Sequence, residues 1–221
     1  MVSNLTAALP PRAVLLLLHG LGMRPEVLAP FPSALRLPVV AEVPAGPVRL
    51  PGGGHAWWPV DLAARVQRLA QAGAEGLDLC TRQPEGRPQA RAQLQQCLDR
   101  VASTWPGLPV VVVGFSQGGM LAMDHLLHAE TPPGWAGLAL LSSSRLDWRD
   151  RHAAWPRVAG LPVLVAHGRQ DRDLAFHAGE GLRDALQDAG ADMHWLPFDG
   201  GHEMPLVVWR AVRRLVLRCI G

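Results

Sequence analysis

The sequence predicts an α/β protein: a mostly parallel sheet of about six strands, flanked by helices on both faces and carrying no large lid domain. Short apolar runs of strand length alternate with helical stretches along the whole chain, the pattern of strands joined by crossover helices. Those runs are apolar throughout, as in the four consecutive valines at 110–113, which suits strands covered on both faces. With 221 residues, 48% of them hydrophobic, the chain can bury a full core, and no linker or composition break divides it. One domain over residues 1–221 is therefore expected.

Residues 13–18 (AVLLLL) form the first strand, limited to strand length by Pro10-Pro11 before it and His19-Gly20 after it. The turn His19-Gly20-Leu21-Gly22 exposes backbone donors; it lacks the third glycine of a dinucleotide loop and has Pro25 there instead. Residues 26–35 read as a short helix broken by Pro30 and Pro32, and 39–43 as a second strand. The Gly- and Pro-rich stretch 44–59 ends Gly52-Gly53-Gly54-His55-Ala56-Trp57-Trp58-Pro59. Three glycines in a row hold no regular structure, yet two adjacent indoles bring apolar area that must fold back on the protein. Trp57 and Trp58 either cap the core or line a substrate cleft.

Residues 61–72 have helical apolar spacing through Leu62, Val66, Leu69 and Ala70, and Gly73 ends them. The next helix, 86–105, carries Leu94, Cys97, Leu98 and Val101 on one stripe. Strand 110–114 leads into a helix whose Met120, Leu121, Leu126 and Leu127 face the sheet, and 136–141 is a strand closed by three serines. Residues 145–160 are a polar loop with Trp148 and Trp155. Strand 161–166 runs into His167-Gly168-Arg169-Gln170-Asp171; then come helix 174–189, strand 192–198 and helix 205–219, with proline near its first turn.

Net charge is only +2 and the arginines are scattered, so nothing points to nucleic acid. Cys80, Cys97 and Cys219 are odd in number and lack a C-x-x-C pair, which argues against a disulfide framework and a zinc site and for a reducing compartment. The first twelve residues lack the features of a leader, and run 13–18 is too short to span a bilayer. A cytoplasmic protein without stable membrane insertion is expected.

The chemistry centres on Gly114-Phe115-Ser116-Gln117-Gly118, a G-x-S-x-G between a buried strand and a helix. Glycines allow the sharp turn, and Ser116 is held there at the positive end of the helix dipole, as in a nucleophile elbow. In parallel sheets functional groups gather at the carboxyl ends of the strands. Ser116, Asp171 and His202 stand there in the order nucleophile, acid, base. Serine is a weak nucleophile until a base takes its proton; imidazole titrates near neutrality, and a carboxylate fixes its tautomer. Asp173, Asp199 and Glu203 compete for the acid role, but only Asp171 sits in an HG-x-x-D turn after a buried strand. His19 and His167 each precede a glycine at a strand end and read as structural hydrogen-bonding groups. His125 and His128, one turn apart without an H-E-x-x-H pattern, read as a polar helix face, so no metal site is expected.

This order resembles the α/β-hydrolase fold and, more narrowly, the phospholipase/carboxylesterase and acyl-protein thioesterase family. The likeness lies in LLLLHGLG at 15–22, WWPVD at 57–61, VVVGFSQGG at 111–119, PVLVAHGRQD at 162–171 and GGHE at 200–203. It implies Ser116 as nucleophile, His202 as general base, Asp171 as orienting acid, and the backbone N–H groups of Leu21 and Gln117 as oxyanion hole. It implies a cofactor-free enzyme cleaving small-molecule carboxylic esters or thioesters, as a monomer or homodimer. Only the Gly-rich stretch to Pro59 and the loop 145–160 remain to cover the site, so an open, shallow cleft with Trp57 and Trp58 at the substrate and a preference for short to medium acyl chains is expected. The family's Pro-Val after the acid is here Arg172-Asp173-Leu174, and residues 145–160 match nothing. A peptidase or lactone hydrolase on the same fold, or a non-catalytic binding module, are the alternatives.

Overall fold

The computed structural model describes residues 10–73 and 79–221; the first nine, part of the stretch read as lacking a leader, lie outside them. In chain order it has β1 (Ala13–Leu18), α1 (Pro30–Ala34), β2 (Val39–Glu42), β3 (Val48–Arg49), β4 (His55–Ala56), α2 (Leu62–Ala72) and α3 (Arg87–Thr104). Then follow β5 (Val110–Phe115), α4 (Gln117–His128), β6 (Gly137–Leu141), β7 (Pro162–Gly168), α5 (Phe176–Asp188), β8 (Asp192–Phe198) and α6 (Leu206–Ile220). Six strands form one sheet in the order β2-β1-β5-β6-β7-β8, every neighbouring pair parallel.

Each strand feeds two apolar layers because successive side chains point to opposite faces. Leu16, Leu18, Val112, Leu138 and Val163 meet α3, α4 and α5, whereas Leu15, Leu17, Val111, Val113 and Leu164 meet α6 and the α1 region. That two-sided burial is why the strands carry no polar alternation. Helix α4 lies deepest: everything from Gln117 to Leu127 is buried. Among the described residues no helix is long and apolar enough to cross a membrane.

Four local expectations are corrected. Pro30 and Pro32 start α1 instead of breaking it, because the first turn of a helix needs no N–H donors; a 3-10 turn, Pro25–Val27, precedes it. The Gly- and Pro-rich stretch 44–59 carries two short strands that its composition did not announce, β3 and β4 of a small antiparallel hairpin, while the glycine run 52–54 between them is irregular as expected. Among the described side chains of α2, Leu69 alone packs on the core, and Leu62 and Val66 are exposed at 45% and 63%. Residues 149–158 form successive 3-10 turns packed on α4 instead of a loop over the site.

Candidate active site

The site starts from the end of β5. Ser116 has φ 53 and ψ −118, a left-handed conformation that costs a non-glycine residue on the order of 1–3 kcal/mol and persists only where its surroundings impose it. Here its N–H donates to Leu141 O of β6 at 2.8 Å, and its own carbonyl accepts from Gly119 N (3.0 Å), Met120 N (3.2 Å) and Ser143 Oγ (3.1 Å). The glycines are required by contact. A Cβ at Gly114 would stand 2.5 Å from Gly119 Cα, and one at Gly118 would stand 2.2 Å from Leu18 O. So α4 begins jammed against β5 and the end of β1, with Ser116 at its positive end.

Asp171 follows β7 in a tight turn. Its Oδ1 accepts from the N–H groups of Asp173 and Leu174, both at 2.8 Å, and its Oδ2 lies 2.7 Å from His202 Nδ1. Burial alone would push the carboxyl up. Hydrogen bonds from His167 and His202, the charge of His202 and the Leu174 N–H outweigh it and hold the group well below the usual carboxylate range. The glycines of the two turns allow this approach: a Cβ at Gly168 would stand 2.2 Å from Gly201 O, and Gln170 N donates to Gly200 O at 2.9 Å. The rival acids are placed elsewhere. Asp173 pairs with Arg65 at 2.5 Å, Asp199 lies 3.7 Å from Arg169, and Glu203 accepts from Gly201 N at 3.2 Å.

His202 also packs on the Phe115 ring, 4.8 Å between centroids, and shares one cleft with Ser116. No hydrogen bond joins the two here. With Nδ1 taken by Asp171, it is Nε2 that remains to exchange a proton, and nucleophile–base contacts commonly tighten only when substrate binds. Leu21 and Gln117 border the same cleft, and among the described residues neither backbone N–H has a protein acceptor.

The turn after β1 is built by His19, fully buried. Its Nε2 accepts from Gly46 N at 2.9 Å, so the proton sits on Nδ1 and goes to Gly20 O at 2.8 Å. Burial lowers its pKa, and its ring stacks on Trp57 at 4.9 Å. Trp57 is accordingly corrected to a core residue: it is 1% exposed, and its Nε1–H donates to His19 O at 2.9 Å. Trp58, 3% exposed and part of the same core, also borders the cleft. The Gln117 side chain clamps both, Oε1 accepting from Trp57 N at 2.8 Å and Nε2 donating to Trp58 O at 3.3 Å.

The cleft encloses about 680 Å³. Trp58, Val60, Leu79, Met120 and Leu174 give it apolar walls, with Arg65 of α2 among its polar groups; residues 145–160 contribute nothing. Arg65 and Arg68 of α2 both border the cleft, and sequence reasoning missed them, because nothing in the chain says which side of α2 faces it. His125 and His128 are likewise not an exposed polar face. His125 is buried against the Trp135 ring, and His128 Nδ1 lies 2.8 Å from Asp124 O.

A parallel sheet that turns through a strained serine into its central helix, with an acid turn after β7 and a histidine turn after β8, is the architecture of the α/β-hydrolase fold. The chain belongs to the phospholipase/carboxylesterase family, whose model matches residues 5–216. It is therefore a hydrolase of the phospholipase/carboxylesterase kind. Three solved structures share its fold at low identity. Esterase PE8 is 23% identical with TM-score 0.76, over 96% of this chain and 94% of that one. SOBER1 of Arabidopsis thaliana is 21% identical with TM-score 0.74, over 95% and 100%. Acyl-protein thioesterase 2 of Zea mays is 22% identical with TM-score 0.73, over 96% and 95%. No curated protein sequence matches the chain.

Proposed function

We propose that the protein is a serine hydrolase that cleaves small carboxylic esters or thioesters through an acyl-enzyme. One observation carries this: Ser116, strained at the elbow, borders the same cleft as a histidine whose Nδ1 is bound to a buried carboxylate. His202 Nε2 takes the Ser116 proton as Oγ attacks the carbonyl, and Asp171 stabilises the imidazolium that forms. The N–H groups of Leu21 and Gln117 receive the developing oxyanion, and a pair of preset donors of this kind is worth several kcal/mol in such reactions, about 3 for one donor. His202 then protonates the leaving alcohol or thiol. Water enters by the reverse route and releases the acid.

The family and the likeness to an esterase and an acyl-protein thioesterase support this class of substrate. The acyl chain is short to medium in this proposal, since the apolar walls are few and guanidinium groups stand among them. The test is a fluorophosphonate probe together with turnover of an aryl acetate. The probe is expected to label Ser116 alone, and Ser116→Ala to lose both label and turnover. Equal labelling of the variant would remove Ser116 from the chemistry.

A further inference from the structure

We infer that His167 is a positioning residue for the reaction: its single Nε2–H closes the acid turn and holds the outer side of Asp171 in register with His202. The inference rests on the hydrolase proposal above. His167 stands near the end of β7 and is fully buried. Its Nε2 lies 3.0 Å from Leu174 O and 3.3 Å from Asp171 Oδ2, both acceptors. Its Nδ1 has no partner among the described residues. On that side Gly179 of α5 comes so close that a Cβ there would stand 2.4 Å from Nδ1. One edge of the ring therefore demands a proton and the other offers nothing to accept one, which selects the neutral Nε2–H tautomer.

The consequence is a fully occupied carboxylate. Oδ1 takes the N–H groups of Asp173 and Leu174; Oδ2 takes His202 and, as a longer and shared contact, His167. Leu174 is gripped twice, since its N–H donates to Asp171 and its carbonyl faces His167. Asp171 cannot swing without losing a donor on either side. His167 does not border the cleft and can reach the chemistry only through this turn. A dispensable core histidine would not place its only N–H between the acid and the backbone that shapes it.

The test combines two variants and the unmodified protein. His167→Leu removes the N–H at similar volume, whereas His167→Gln returns an amide N–H near the position of Nε2. On an aryl acetate, kcat of the Leu variant is expected to fall about ten- to thirtyfold with KM within about twofold, and the Gln variant to recover to within about threefold of wild type. A folded Leu variant with wild-type kcat, or a Gln variant as slow as Leu, would overturn the inference. Should the Leu variant not fold, nitrogen-15 NMR of wild-type protein decides: His167 is expected as the Nε2–H tautomer at pH 7.5, and an Nδ1–H tautomer defeats the idea. Fluorophosphonate labelling of wild-type Ser116 runs alongside. Its absence would sink the hydrolase proposal, while the tautomer reports on His167 independently.

Discussion

At the scale of single residues, Asp171 and Asp173 are a natural contrast, two carboxylates two positions apart with different work. Asp171 faces His202 from a buried turn, while Asp173 is 42% exposed and paired with Arg65. Asp171→Asn is expected to keep the fold but lower kcat by about three to four powers of ten, because the imidazole loses its tautomer. Asp173→Asn removes a part-exposed ion pair worth at most about 1 kcal/mol and should cost far less. Steady-state kinetics on an aryl ester rank the two, and the reverse ranking would move the acid to Asp173. The pH profile follows from the same geometry. Asp171 stays ionised well into acid, so protonation of this carboxyl is not expected to lower kcat/KM anywhere above the ordinary carboxylate range. A step in kcat/KM centred near the ordinary carboxylate value of about 4 and lost in Asp171→Asn would overturn this.

At the scale of elements, the elbow and the hairpin before α2 act as one clamp. Gln117 contributes its backbone N–H to the cleft and its side chain to the Trp57-Trp58 backbone, so the wall beside the serine moves only if the elbow does. Trp58→Ala is expected to flatten the dependence of kcat/KM on acyl length while leaving Ser116 reactive. Each methylene gains up to about 0.8 kcal/mol only while it touches protein, so wild type should peak between acetate and octanoate. A rise continuing to palmitate in wild type, or an unchanged profile in the variant, would place the acyl chain elsewhere. Gly118→Ala is expected to abolish probe labelling, since its methyl would collide with the Leu18 carbonyl and unseat the start of α4. Labelling at the wild-type rate would show that the elbow tolerates the shift.

At the scale of the whole molecule, acid stability depends on groups far from the cleft. Burial foremost lowers His125 from 6.5 to about 4, so between those values the unfolded chain binds a proton that the folded one refuses. Stability is therefore lost as pH falls through that window, by on the order of 3 kcal/mol from this residue. Asp124 adds to the loss further down. Burial would raise its pKa, but Arg87 and Arg91 overcome that and lower it, so its contribution is present above the ordinary carboxylate range and disappears as pH falls through the folded value. Urea unfolding at pH 7.5 and pH 4.5 should show wild type losing about 2–3 kcal/mol more than His125→Phe. Equal losses would mean that His125 is protonated in the folded state.

The chain by itself determined the strands and the sharp turn at Ser116, because these depend on neighbours in sequence: four valines cannot start a good helix, and Gly114, Ser116 and Gly118 lie within one turn. It also marked Asp171 over Asp173, through the turn that follows a buried strand. Tertiary structure alone decided what faces what. Trp57 and Trp58 are adjacent, alike and both buried, yet only Trp58 borders the cleft, while Trp57 stacks on His19. Helix α2 leaves Leu62 and Val66 of its apolar stripe exposed while Leu69 packs on the core and its arginines meet the cleft, because its orientation is set by what lies beside it in space. The contact of His167 with Asp171 was equally invisible: two residues four apart in a turn meet only where β7 ends and α5 closes over them.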